Sequence, residues 1–300
     1  MHKFLVTGGA GFVGSNLALT LEAQGHQVVV VDHSFAAAAS NLKEFKGGRR
    51  QIDVSQPFDL EHDFSAIFHQ AALTDPRYSN DAEILEKNVN GFQFLLTHCL
   101  KHQTPLIYAS TAGLYGNGPV PMREDQPKHI LTAYGKSKLV MDEMAAKHFN
   151  DIRLVGLRYF NVFGPRESHK GRPASMIYHL RQPLKEGKPA RLFKFGEQVR
   201  DFVYVKDIVR ANLCALTAPS GIYNVGTGVG TSFNKVIRVM NLALGTDSAI
   251  EYFEMPFAAE TYQGNTVADT EFAREKLGFV AEWEFEAGVR DYMGWLDGST

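Results

Sequence analysis

The sequence predicts an α/β protein: a Rossmann-type, doubly wound parallel sheet with a smaller C-terminal α/β lobe. Three observations carry that expectation. Short β-branched runs alternate with amphipathic stretches through the first half of the chain, as in a parallel sheet covered on both faces. A glycine-rich turn follows the first run and opens the first helix. The chain has 300 residues, 44% of them hydrophobic and 21% charged, enough for a large core.

In chain order, the strand candidates are 3–8 ("KFLVTG"), 27–32 ("QVVVVD"), 49–54 ("RRQIDV"), 66–72 ("AIFHQAA"), 105–111 ("PLIYAST") and 151–160 ("DIRLVGLRYF"). Between them, 81–102 and 134–149 place apolar residues at three- and four-residue steps, which is the helical period. "AAAAS" (36–40) reads as a loop or a first helical turn. After Pro165 the texture changes. Shorter strands at 190–195, 200–205, 221–226 and 250–254 mix with helices near 205–217, 231–244, 269–277 and 284–296. The division expected is a dinucleotide-binding domain over 1–164 plus part of about 201–230. A second lobe takes 165–200 and 231–300.

Composition excludes several classes. A formal net charge of −2 argues against extended nucleic-acid contact. No apolar run approaches the roughly 20 residues that span a bilayer. The N-terminus opens directly into a strand, so no signal peptide is expected. Cys99 and Cys214 are far apart and form no C-x-x-C, which suits free thiols in a reducing cytoplasm. No metal site is expected from the 11 histidines.

"VTGGAGFVGSNLA" carries the first chemistry. Gly8, Gly11 and Gly14 allow a tight turn and close approach of backbone to a pyrophosphate, and the helix beginning at Phe12 and Val13 turns free N–H groups toward the anion. Asp32 closes the second strand about 20 residues on, where an acid accepts hydrogen bonds from ribose hydroxyls. Its carboxylate would repel a 2′-phosphate and no arginine follows closely, which favours NAD, with NADP as the alternative. Asp53, beside Val54, either reaches the adenine edge or is a surface acid at a strand end.

Tyr134 and Lys138, at i and i+4, present a phenol and an ammonium on one helix face. A lysine cation and a positively charged nicotinamide would favour phenolate and make it a usable base. Thr111, with Ser110 beside it, ends a strand about 23 residues upstream and can hold a substrate hydroxyl in line with Tyr134.

"TGGAGFVG", "FHQAA", "YASTAGLYG", "YGKSK", "LRYFNVFGP" and "RDFVYVKD" occur in the order and spacing of the extended short-chain dehydrogenase/reductases that modify nucleotide sugars. The chain resembles that family over nearly its whole length. The resemblance implies catalytic roles for Thr111, Tyr134 and Lys138, and cofactor contacts at Ala71, Ala72, Asn88 and Phe160. It also implies substrate contacts at Ser110, Asn161, Phe193, Arg200 and Tyr262. Thr111 is followed by Ala112 and Gly113, which transfer no protons, so dehydration is disfavoured and epimerisation favoured.

"GPRESHKGRPAS" (164–175) is similar to a segment of the 6-epimerases of ADP-heptose, enzymes of lipopolysaccharide core synthesis. That resemblance implies Lys170 as a second acid/base, with His169 beside it, and ADP-heptose as substrate. Within the same family a UDP- or GDP-sugar 4-epimerase is the alternative, and a non-catalytic NAD(H)-sensing module a third reading. The chain departs from the subfamily in "HSFAAAAS" after Asp32, in Thr261 where an arginine stands, and in Arg172 and Pro173. A cytoplasmic homo-oligomer is expected from the resemblance, with the 81–102 and 134–149 helices as candidate pairing faces.

Overall fold

A computed structural model of the chain describes residues 1–36, 38–75, 80–255 and 262–298. Seven parallel strands form the main sheet: β1 (Lys3–Thr7), β2 (Gln27–Asp32), β3 (Gly48–Gln51), β4 (Ala66–His69), β5 (Leu106–Thr111), β6 (Leu154–Tyr159) and β10 (Gly221–Val225). Their spatial order is β3-β2-β1-β4-β5-β6-β10. The order reverses direction at β1, and in such sheets ligands bind outside the strands' carboxyl ends at that point. Strand interiors are apolar because helices cover both faces: Leu5, Val6, Val30, Val31, Ile67, Phe68 and Leu157 are all buried.

The helices on this sheet are α1 (Phe12–Ala23), α2 (Asp81–His102), α3 (Ala133–Ala146) and α5 (Val205–Cys214). Their ends are chemically marked. Asn80 caps α2, its side chain accepting from Glu83 N at 3.1 Å. Asp81 and Glu83 lie in the first turn of α2, Lys101 and His102 in the last, matching the helix dipole. Thr132 caps α3, accepting from Gly135 N at 3.0 Å. α5 packs against α1, although residues 24–204 lie between them in sequence.

The remaining elements build over the carboxyl edge of that sheet. β7 (Asn161–Phe163), β9 (Val199–Tyr204) and β11 (Gly230–Ser232) form a three-stranded sheet, and β8 (Ala190–Phe193) pairs with β12 (Ile250–Phe253). α4 (Met176–Lys185), α6 (Phe233–Leu244) and α7 (Phe285–Leu296) pack around a second core containing Phe163, Phe202, Tyr204, Val236, Phe285 and Val289. Ser175 caps α4, accepting from Tyr178 N at 3.2 Å.

Several expected boundaries shift for one reason. The strands at 49–54, 66–72 and 151–160 end early, at Gln51, His69 and Tyr159. The residues after them leave the ladder to form the rim of the cleft. β7 and β11, three residues each, are too short to show a two-residue period. The 269–277 helix is a short π turn (Ala273–Leu277) ending at Gly278, whose φ is +69°. In "AAAAS" a 3₁₀ turn runs Ala39–Leu42. The Thr261 departure lies outside the described residues.

No helix among the described residues is long and apolar enough to cross a membrane. His98 and His102 form an i, i+4 pair on α2 with ring centroids 4.5 Å apart. Among the described residues no group of three or more His, Cys, Asp or Glu is placed to hold a metal.

Candidate active site

A cleft of about 920 Å³ opens at the carboxyl ends of the main strands, between that sheet and the overlying elements. Its volume suits a large cofactor with part of a substrate. The floor is the phosphate loop. Gly8 has a φ of +64°, and a Cβ there would meet Ala71 N at 2.6 Å. A Cβ on Gly14 would meet Gly8 O at 2.1 Å, so only glycine lets α1 start this close to the loop. Asp32 is buried at the end of β2 and accepts from Ala10 N at 3.1 Å and Ser34 N at 3.3 Å. Gly11, Phe12, Val13, Asp53, Val54, Ala71 and Ala72 complete this half of the wall. Asn88 bonds both backbone groups of Leu73 (Leu73 N at 2.8 Å, Leu73 O at 3.1 Å) and thereby shapes the loop after β4.

α3 brings Tyr134 and Lys138 to the cleft, and the end of β5 brings Thr111. Tyr134 is half-buried and hydrogen-bonded to Thr111. Burial pushes its phenol up to about 12, with the Thr111 hydroxyl opposing. In the chain alone desolvation outweighs the Thr111 hydrogen bond, and Lys138 Nζ lies 5.8 Å from the centre of the Tyr134 ring. Lys138 is itself buried, and desolvation pulls its ammonium down to about 8 while Asp142 opposes.

Among the described residues two polar atoms on this wall, Lys138 Nζ and His69 Nε2, are buried without a hydrogen-bond partner. His69 Nδ1 is paired with Thr7 Oγ1 at 2.8 Å, and burial pulls the ring down to about 3, so it is neutral. Buried polar atoms without partners are rare in a folded chain and here face a cleft. Together with the glycine cradle, they fit a dinucleotide whose ribose hydroxyls would satisfy Lys138.

The Lys138 charge has a thermodynamic consequence. Its folded pKa of about 8 lies below the ordinary 10.5, so between those values the unfolded chain holds the extra proton and stability rises with pH. Lys138→Met is expected to abolish that slope and raise stability at pH 7 by about 3 kcal/mol in protein freed of nucleotide. Denaturant titrations at pH 7 and pH 10 check this. Equal slopes for both proteins would overturn it.

The opposite wall comes from the later segments. Phe160, Asn161, His169, Lys170, Arg200 and Tyr262 all line the cleft. Lys170 ends a 3₁₀ turn (Ser168–Lys170), with Nζ 5.4 Å from the centre of the Phe12 ring. Burial lowers its pKa, and Glu167 opposes. Among the described residues its ammonium makes no hydrogen bond. Burial also lowers His169. The Arg200 guanidinium sits 5.1 Å from the Tyr262 ring and 5.4 Å from the Phe233 ring.

Two of the residues expected at the substrate have partners of their own within the chain. Phe193 does not line the cleft. It is half-buried behind Tyr262, edge-on at 5.8 Å between centroids, because residues on β8 alternate faces. Ser110 borders the cleft, but its hydroxyl donates to Asp142 at 3.2 Å and is committed to a buried network. Tyr159 and Gln70, not singled out in the sequence, line the cleft and join Asn212 in a closed ring. Tyr159 donates to Gln70 at 3.1 Å, Gln70 to Asn212 at 3.1 Å, and Asn212 to Tyr159 at 2.8 Å. Their signal was present, since both sit inside the quoted "FHQAA" and "LRYFN" segments.

With this geometry in view, comparison with known proteins is specific. The chain is 35% identical to the ADP-L-glycero-D-manno-heptose-6-epimerase of Alkalilimnicola ehrlichii over 96% of each sequence. The crystal structure of the Helicobacter pylori enzyme of that name superposes with a TM-score of 0.91 at 38% identity, covering 99% of this chain and 96% of the other. A UDP-glucose 4-epimerase from Thermotoga maritima gives 0.88 at 27% identity, covering 99% of each. The model of the NAD dependent epimerase/dehydratase family matches residues 4–226, through every strand of the main sheet, and the chain belongs to that family.

Proposed function

We propose that the protein inverts C6 of ADP-D-glycero-β-D-manno-heptose to give the L-glycero form. One observation carries the reading. Two lysine- or tyrosine-based proton handlers, Tyr134 from α3 and Lys170 from the 164–175 loop, reach one cleft from different elements. An epimerase must break a C–H and an O–H bond at one carbinol carbon, then remake both with the hydrogen on the opposite face of the ketone. Two faces need two groups that move protons.

In this reading Gly8, Gly11 and Gly14 hold the pyrophosphate, Asp32 the adenosine ribose, and Lys138 the nicotinamide ribose. NAD, when bound, supplies the hydride acceptor and donor. Thr111 holds the reacting hydroxyl beside Tyr134, which takes or returns its proton. Lys170 does the same when the carbonyl is presented the other way, and its lowered pKa eases loss of the ammonium proton. Arg200 and Asn161 receive the nucleotide's phosphates, and Tyr262 borders the nucleoside. The second reading, a UDP-sugar 4-epimerase, has in its favour the Thermotoga maritima superposition.

Proton NMR of the sugar after incubation with ADP-heptose or UDP-galactose separates the two. ADP-heptose inversion supports the proposal; turnover of UDP-galactose alone overturns it. Lys170→Met is expected to lower kcat by about 10²–10⁴-fold with NAD still bound. Full inversion by that variant would remove Lys170 from the mechanism. The net charge of −2 accords with a small-molecule substrate rather than nucleic acid. The reading also takes the protein to be a cytoplasmic homo-oligomer, with α2 and α3 as pairing faces, which light scattering in solution measures.

A further inference from the structure

We infer that Asn41, assisted by Asn16, positions Lys170, by fastening the loop that carries it to the dinucleotide-binding loop. The inference rests on the assignment of Lys170 as an acid/base. Asn41 lies in the 3₁₀ turn after "AAAAS", is 4% exposed and does not line the cleft. Its carboxamide nitrogen is 3.0 Å from Ala10 O, 3.0 Å from Arg166 O and 3.1 Å from His169 Nδ1. Ala10 belongs to the phosphate loop, and Arg166 and His169 to the Lys170 loop. One amide group therefore ties together two loops more than 120 residues apart in sequence.

Asn16 repeats the arrangement from α1. Its nitrogen donates to Phe12 O at 2.9 Å and Pro165 O at 3.0 Å, and its oxygen accepts from Arg166 Nη1 at 3.2 Å. Arg166 Nε in turn donates to the backbone oxygen of Asn41 at 3.3 Å. Arg166 holds a φ of +72°, a left-handed backbone that a non-glycine residue keeps only where its surroundings over-determine it. The two asparagines supply that constraint. Burial lowers His169, and its Nδ1 faces two groups: with the proton on Nδ1 it donates to Arg166 O at 3.0 Å, and with the proton on Nε2 it accepts from the Asn41 nitrogen at 3.1 Å.

Lys170 follows directly, with its ammonium against Phe12, the first residue of α1. Its placement thus depends on the same turn that cradles the pyrophosphate. Tyr134 and Thr111, on α3 and β5, take no part in these bonds. A loss of Asn41 should therefore disable the Lys170 side alone.

A double-mutant cycle tests this: Asn41→Ala in the unmodified and Lys170→Met backgrounds, with NAD content measured by denaturing extraction. Misplacing a reacting group by about 1 Å costs up to about 100-fold. The expected result is a kcat loss of about tenfold or more in the unmodified background, KM within about twofold and NAD retained, but less than about twofold further loss beside Lys170→Met. Equal losses in both backgrounds, or no loss in either, overturn the inference. Full activity of Lys170→Met alone overturns the assignment of Lys170 itself, and this inference with it. Asn16→Ala, at a half-buried helical position where alanine is well tolerated, runs the same cycle should Asn41→Ala not fold.

Discussion

Tyr134→Phe is expected to lower kcat for epimerisation by about 10²–10⁴-fold while leaving bound NAD unchanged. The substitution removes one oxygen and keeps the ring that forms the cleft wall. The phenol titrates at about 12 in the protein alone, so at neutral pH it is a proton donor waiting for an alkoxide. To accept a proton it needs positive charge nearby, and Lys138 offers a cation 5.8 Å from the ring centre. That cation fades as pH rises through about 8. The kcat/KM profile should therefore fall on its alkaline side near that value, and Tyr134→Phe should flatten the profile. Activity in Tyr134→Phe within about twofold of the unmodified enzyme would exclude the phenol from proton transfer.

The second large effect is on stability. Arg158→Met is expected to destabilise the fold by about 3–5 kcal/mol, because it leaves a buried carboxylate unpaired. Arg158 on β6 meets Asp142 on α3 at 2.9 Å, with their side chains 4% and 3% exposed. Asp142 also accepts from Tyr108 at 3.0 Å and Ser110 at 3.2 Å. Arg158 continues to the Tyr115 hydroxyl at 2.9 Å, and Tyr115 donates to Asn224 on β10 at 2.6 Å. The network clamps α3 to three neighbouring strands, one helical turn beyond Lys138. A lower denaturant midpoint with unchanged slope is the expected signature. Replacing both partners, as Arg158→Met with Asp142→Leu, should recover most of the loss, since an apolar pair leaves no charge behind. A single mutant as stable as the parent would show that the pair contributes nothing.

Much of the architecture was legible because it depends on short-range rules. β2 and α2 run as the residue pattern predicts, 27–32 and 81–102. Valine runs buried on both faces and a helix with acids first and bases last are local statements, independent of what packs against them. The glycine loop was legible for the same reason, since its spacing encodes a turn and a close approach. What local patterns leave open is a direction. Ser110 and Phe193 are in the right neighbourhood, but one points into the Asp142 network and the other stands behind Tyr262. A side chain's aim depends on strand register and on partners distant in sequence.

The sequence by itself determined the fold class, the phosphate loop, and the pairing of Tyr134 with Lys138, all of which follow from spacings of a few residues. Only the tertiary structure decided the protonation of that pair, because burial acts through everything that surrounds a group. It raises the Tyr134 phenol to about 12 and lowers the Lys138 ammonium to about 8. Only the tertiary structure, too, brought Asn41 and Asn16 to the Lys170 loop. No local pattern marks an asparagine whose acceptors lie more than 120 residues away, since that contact exists only once both loops are folded against one another.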